Sequence, residues 1–226
     1  MFPSILISTN KRSWDDCHDD SDLTVVAKWV LEQAEALLEK RHTIKWSKIV
    51  IKQPEKSIEI TSLKDTKTFI YSEFSSNPSG ILQSSTTDDA ESIKKKLTDA
   101  FTASCMSKII DFSVVRDDSD STDNAEWVLE QAEALLEKRH TIKWSKIVIK
   151  EPQKHIEITS LEDKIKYSEF KPGQRDVILE YDHDIHDMNK IHEEIHEEIH
   201  KDLTRAFKKS QIIYFSVVFT RYVCAS

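Results

Sequence analysis

Glycine is nearly missing from this chain: of 226 residues only Gly80 and Gly173 are glycine. Loops that bring backbone N–H groups close around a phosphate depend on glycine, and neither position belongs to a GxGxxG or GxxxxGK[ST] pattern. Nucleotide-binding loops of those kinds are therefore excluded. Cysteine is also scarce. Cys17, Cys105 and Cys224 are odd in number, unevenly spaced and without a CxxC pair, which fits neither a disulfide framework nor a ribbon-type zinc site and points to a reducing compartment. No stretch approaches the roughly 18 consecutive apolar residues of a membrane span. Met1–Thr9 is too short for a secretory hydrophobic region with its cleavage site. The expected setting is intracellular, cytoplasmic or nuclear, with no membrane contact. A formal net charge of −8 disfavours broad affinity for nucleic acid, while leaving room for a local basic patch.

What the chain has instead is a repeat. Residues 29–52 (WVLEQAEALLEKRHTIKWSKIVIK) recur without change at 127–150, 98 positions later. The likeness extends outward: Lys56–Asp65 answers to Lys154–Asp163, Tyr71–Phe74 (YSEF) to Tyr167–Phe170, Leu97–Phe101 to Leu203–Phe207, and Ile109–Val115 to Ile212–Val218. A whole unit of about a hundred residues is duplicated, a normal size for one domain. The units are expected at 1–116 and 117–226, the second carrying a His-rich insertion near 176–200.

Both copies must support one structure, so the elements can be read jointly. From Thr24 to Arg41, and again from Asn124 to Arg139, Val30, Ala34, Leu37 and Leu38 (first-copy numbers) recur at helical spacing, with Glu32, Glu35 and Glu39 opposite. That is an amphipathic helix built from strong helix formers. Three strand-like runs follow at Ile44–Lys52, Ser57–Thr61 and Phe69–Phe74, rich in β-branched and aromatic residues. Trp46 and Val50 share parity while Ile49 and Ile51 take the other, so the first strand needs either a bulge near Ser47 or burial on both faces. A second helix is expected from about Asp88 to Ser104, with Ile93, Leu97, Ala100 and Phe101 on one face, and a closing strand at Ile109–Val115. Pro3–Thr9 loosely resembles that closing strand. The acidic runs Asp15–Asp22 and Asp117–Asp123 read as linkers or as helix starts favoured by the dipole.

The predicted fold is thus α+β: a tandem duplication of a unit reading helix, three strands, helix, strand. Each unit packs an antiparallel sheet on two helices. The two are expected about a pseudo-twofold axis, a pseudo-dimer within one chain.

Two constellations suggest chemistry. His192-Glu193-Glu194-Ile195-His196 is an HExxH, overlapped by a second ending at His200. On a helix, histidines four apart share a face and can hold zinc, while the adjacent glutamate serves as general base of a metal-dependent hydrolase. The third ligand fails, however: Ile199 and Asp202 stand where the extended motif needs glycine and histidine. The competing reading is a four-residue expansion keeping Ile191, Ile195, Ile199 and Leu203 on a buried stripe with solvated His and Glu elsewhere. The expectation is no cofactor, with His192, His196 and His200 as the zinc candidates if metal binds. The second constellation is Lys40, Arg41, Lys45 and Trp46, repeated as Lys138, Arg139, Lys143 and Trp144. Cations interleaved with an aromatic can follow a phosphate backbone and stack a base. Equally, cations suit a helix C-terminus and a tryptophan suits a core strand.

No nucleophile, phosphate loop or complete metal set lies in the unchanged block. The leading expectation is a non-enzymatic protein-interaction or scaffold protein that presents a duplicated surface, including the exposed faces of the first helices, to a protein partner. Nucleic-acid binding through the two Lys-Arg-Trp segments is the first alternative. A metal-dependent hydrolase is the second.

Overall fold

The computed structural model describes residues 20–63, 68–75, 80–102, 109–116, 123–161, 164–171, 177–184, 191–207 and 212–220. Repeat one contains α1 (Asp20–Glu39), β1 (Trp46–Lys52), β2 (Lys56–Ser62), β3 (Phe69–Ser75), β4 (Ile81–Thr87), α2 (Ala90–Thr102) and β5 (Asp111–Arg116). Repeat two follows the same order with α3 (Asp123–Glu137), β6 (Trp144–Glu151), β7 (Lys154–Ser160), β8 (Lys164–Phe170), β9 (Val177–Asp184), α4 (Ile191–Phe207) and β10 (Tyr214–Phe219).

All ten strands form one antiparallel sheet in the order β4-β3-β2-β1-β5-β10-β6-β7-β8-β9. The repeats meet at its centre, where β5 pairs with β10. The register there is reciprocal. Ser113 faces its counterpart Ser216, Phe112 faces Val217, and Val114 faces Phe215, so each contact and its repeat equivalent occur together. Hydrogen bonds flanking the junction obey the same exchange: Arg116 N–H donates to the Ile213 carbonyl at 3.0 Å and Phe219 N–H to the Ile110 carbonyl at 3.2 Å. The Ser216 hydroxyl also donates to the Asp111 carboxylate at 2.9 Å.

The helices cover one face of this sheet. Alternation along the strands sends Ile49, Ile51, Ile58, Ile60, Phe112 and Val114, with their second-repeat counterparts, into one continuous core. From the helices the core receives Val30, Ala34, Leu37 and Leu38 of α1, Ile93 and Leu97 of α2, and Ile199, Leu203 and Phe207 of α4. Trp29 of α1 reaches across the junction, edge-on to both Phe112 at 5.7 Å and Phe219 at 5.9 Å. Its equivalent Trp127 meets Phe215 at 5.8 Å. Asp89 caps α2, accepting from the N–H groups of Glu91 and Ser92 at 3.1 and 3.2 Å.

The bulge expected near Ser47 is present: the β1–β5 register shifts between Trp46 and Lys48, and the matching shift in repeat two lies opposite Trp144 and Lys146. It lets Trp46 face the helices while Lys48 faces away. Two sequence expectations need correction. Each unit has four strands between its helices, because β4 (ILQSSTT) lacks the apolar alternation that marks a half-buried strand, and most of its residues are exposed at the sheet edge. Val177–Asp184, read as part of an insertion, is β9, the counterpart of β4 at the opposite edge. Pro3–Thr9 and most of both acidic runs lie outside the described residues.

Because the halves share one sheet, loss at either end should register in one transition. Trp46→Phe and Trp144→Phe each remove an indole N–H that donates at 2.9 Å to a helix carbonyl, Leu37 or Leu135, and each should cost about 1–2 kcal/mol. Urea unfolding should show equal losses for the two variants and a single transition. Two separable transitions would contradict a shared core.

Candidate interaction face

The duplicated Lys-Arg-His-Thr-Ile-Lys-Trp segment turns each first helix into the strand beside it. The Lys40 carbonyl accepts from the Ile44 N–H at 2.7 Å and from the Thr43 hydroxyl at 3.0 Å; Lys138 does the same for Ile142 and Thr141. Trp46 and Trp144 are 4% and 2% exposed, with their indole N–H groups closing the helix ends. Base stacking expected of these tryptophans has no free ring face to act from. Lys40, Lys45, Lys138 and Lys143 remain exposed. Arg41 lies over Phe69 at 4.5 Å, and Phe69 is stacked on Trp46. In repeat two Ile165 stands at the Phe69 position, and the half-buried Arg139 guanidinium, whose Nε finds no hydrogen-bond partner among the described residues, is pushed below the usual arginine range by burial.

Of the histidines in the HExxH pair, only His200 has a described side chain. It is exposed and bonded through Nδ1 to Glu133 of α3 at 2.5 Å, which ties α4 to α3. His192 and His196 lie on α4 with side chains outside the described residues. Among the described residues no three His, Cys, Asp or Glu side chains gather to hold a metal ion.

The YSEF strand, noted in the sequence only as part of the repeat, builds a buried polar cluster under the helices. The Tyr71 hydroxyl donates to Glu73 Oε1 at 2.7 Å, Lys56 Nζ reaches Oε2 at 3.2 Å, and Gln83 of β4 donates to Oε1. Repeat two keeps Tyr167 to Glu169 at 2.8 Å and Lys154 to Glu169 at 3.6 Å. Burial and the neighbouring carboxylate push the Tyr71 hydroxyl up, so it remains a donor. For Glu73, burial raises the carboxyl, but bonds from Tyr71, Gln83 and Lys56 outweigh it and leave the pKa lowered. With every polar group paired, this cluster is structural: it fastens β3 to β2 and β4.

The sheet's other face carries no helix among the described residues. Its middle row runs Glu59, Val50, Ser113, Ser216, Val148, Glu157 across six strands, and reads the same from either end. Lysines of the flanking rows bridge to it: Lys48 to Glu59 at 2.5 Å and Lys146 to Glu157 at 2.6 Å. Beneath them Ser113 and Ser216 are only 5% and 3% exposed. The repeats differ in one flanking row. Repeat one places Lys52 on Asp111 at 2.9 Å, with Ser57 next in line. At the equivalent positions repeat two has Lys150 over the Tyr214 ring at 5.1 Å and His155 stacked on Phe170 at 4.6 Å. Burial lowers the His155 pKa, with Lys150 and Lys146 adding to the effect and Glu157 opposing it. Strand alternation alone would have located the Lys48, Val50, Lys52 and Glu59 pattern. The sequence did not reveal that no helix among the described residues packs over it.

No protein-family model matches the chain, and no curated protein does. Solved structures with partial likeness include a sliding clamp (DNA polymerase III subunit beta) from Pseudomonas aeruginosa bound to griselimycin, with 5% identity, a TM-score of 0.20, and coverage of 89% of this chain and 64% of that one. DNA polymerase III subunit beta from Borrelia burgdorferi gives 8% identity, a TM-score of 0.15, and coverage of 86% and 65%. The chain spans less than two thirds of those proteins, and backbone agreement at this level carries no argument about this chain. No described helix is long and apolar enough to cross a membrane.

The Glu73 cluster makes a pH prediction. A carboxyl lowered by folding contributes stability that is full above its ordinary value of 4.5 and is lost as pH falls through the lowered folded value. Glu73→Gln should cost about 1–3 kcal/mol at neutral pH and should flatten the fall in stability below pH 4.5. Denaturation midpoints followed from pH 7 downward for both proteins would measure this.

Proposed function

We propose that this chain is a non-enzymatic interaction protein, a pseudo-dimer of two α+β units whose helix-free sheet face receives a protein partner. The observation that carries the reading is that face: four helices cover one side, while no helix among the described residues covers the other, where cross-strand ion pairs order side chains in advance. Holding Lys48 on Glu59 and Lys146 on Glu157 adds little to stability at an exposed site, typically under about 1 kcal/mol. It does fix a charge pattern, repeated on either side of the Ser113–Ser216 axis, that an oppositely patterned protein surface can meet. The reciprocal β5–β10 register supports the pseudo-dimer part of the reading, because self-complementary contacts of that kind are what a twofold interface has.

The charge pattern also separates this reading from nucleic-acid binding. Three of the face's lysines, Lys48, Lys52 and Lys146, already sit on carboxylates, and a phosphate backbone would have to displace those carboxylates. A protein partner would not.

Affinity capture with the full chain, followed by reconstitution with the recovered protein, tests the proposal. Lys48→Gln together with Lys146→Gln should weaken partner binding by about tenfold or more, with unfolding midpoints nearly unchanged. Glu32→Lys together with Glu130→Lys, on the exposed faces of α1 and α3, should leave binding intact. Unaltered binding in the first pair rejects the open face as the site. Retardation of RNA or DNA at low salt that falls steeply as salt rises would favour the nucleic-acid reading.

A further inference from the structure

The sheet's two ends differ in how their edges are protected. Natural edge strands usually discourage pairing with charged residues, proline or distortion. β9 follows that rule, with Glu180, Asp182 and Asp184 in VILEYDHD. β4 has no charged residue and no proline in ILQSSTT, and its one distortion lies at the Ile81–Gln83 end. Among the described residues its only strand neighbour is β3, so its outer row of backbone N–H and C=O groups faces away from the sheet. Ile81 and Leu82, at 63% and 59%, are also the most exposed large hydrophobic residues described. The irregularity between β3 and β4 is confined to one end, leaving Gln83–Thr87 in regular register.

We propose that β4 pairs antiparallel with β4 of a second copy of this chain, joining two sheets across a twofold axis. The choice of occupant rests on charge. Pairing β9 with another β9 would set acidic strand against acidic strand, and like charges across a strand pair are unfavourable. Pairing β4 with β9 would expose a fresh β4 and a fresh β9 at the ends and continue without closing. Pairing β4 with β4 closes the assembly and leaves only the acidic β9 edges outside. The regular stretch Gln83–Thr87 overlaps its own copy fully in one antiparallel register, with Ser85 facing the second copy's Ser85 and Ser84 facing the second copy's Thr86. The Ser84 hydroxyl is already bonded to Ser72 at 3.0 Å. The junction would therefore continue a row of small hydroxyl residues, as Ser113 and Ser216 do at the junction within the chain. This proposal does not depend on what binds the open face.

Sedimentation equilibrium on the full chain tests it. The wild type should show a reversible monomer–dimer equilibrium. Ser84→Lys combined with Thr86→Lys places like charges opposite each other at two symmetry-related positions and should raise the dimer dissociation constant by about tenfold or more. Ser84→Lys combined with Thr86→Glu places opposite charges there and should recover most of that loss. Asp182→Lys on β9 should have no effect. Both substituted β4 positions are exposed, so circular dichroism should be unchanged. A wild type that stays monomeric at high micromolar concentration overturns the proposal. So does a doubly lysine-substituted chain that still dimerises, an opposite-charge variant no tighter than it, or a dimer that responds to Asp182→Lys.

Discussion

The pairing of β5 with β10 is the constraint on which the rest of this molecule depends. Without it, β5 and β10 would each present an unpaired edge rich in Phe and Val, and each repeat would end its core at an exposed strand. With it, ten strands become one sheet and the two cores become one. The register explains why the junction holds: Phe112 against Val217 and Val114 against Phe215 fill the helix side twice over, while Ser113 and Ser216 permit close approach on the other. Trp29 then spans the seam by meeting an aromatic ring from each half.

Given that junction, the unchanged block has a consistent structural meaning. Its helix supplies the inner layer, its turn satisfies the helix C-terminus through Lys40, Thr43 and Ile44, and its tryptophan bonds back to Leu37. The bulge at Ser47 is what makes these demands compatible, since it places Trp46 toward the helices and still lets Lys48 face outward. The cations around Trp46 thus accompany a buried anchor. The same residues that resemble a nucleic-acid grip on paper are divided by the fold between core and surface.

Legibility in the sequence followed burial. α1 and α3 were readable because Val30, Ala34, Leu37 and Leu38 repeat at helical spacing and all are buried, and the central strands because Ile49, Ile51, Ile58 and Ile60 alternate onto one face. β4 was not, because a strand at the edge needs no apolar alternation to be held and its ladder with β3 suffices; in β9 Leu179 and Tyr181 do alternate with Glu180 and Asp182, but the segment adjoins the His-rich run and reads with it as an insertion. The YSEF repeat was visible without its meaning, since pairing Tyr71 with Glu73 and Lys56 requires knowing that β2 lies beside β3. The open face was hidden for a related reason. Sequence shows which residues face outward on a strand, but that no described helix forms a second layer is a property of where the chain returns.

That return is the same in both repeats, and it leaves the molecule asymmetric in a specific way. Helices on one side make the core; the other side is free to diverge, because a substitution there disturbs few buried contacts. The differences between repeats fit this. Asp111 and Tyr214 occupy equivalent places in the two closing strands, as do Ser57 and His155 in the second strands. Exchanging the first pair turns a Lys52–Asp111 ion pair into Lys150 over an aromatic ring, and exchanging the second adds a stacked His155–Phe170 pair beside it. Beneath both rows the helix-facing residues keep their places, with Phe112 answered by Phe215 and Ile58 by Ile156. A surface that changes chemistry over a core that changes little, as where Ile165 stands for Phe69, is free to give the two halves of one sheet different preferences for what they touch.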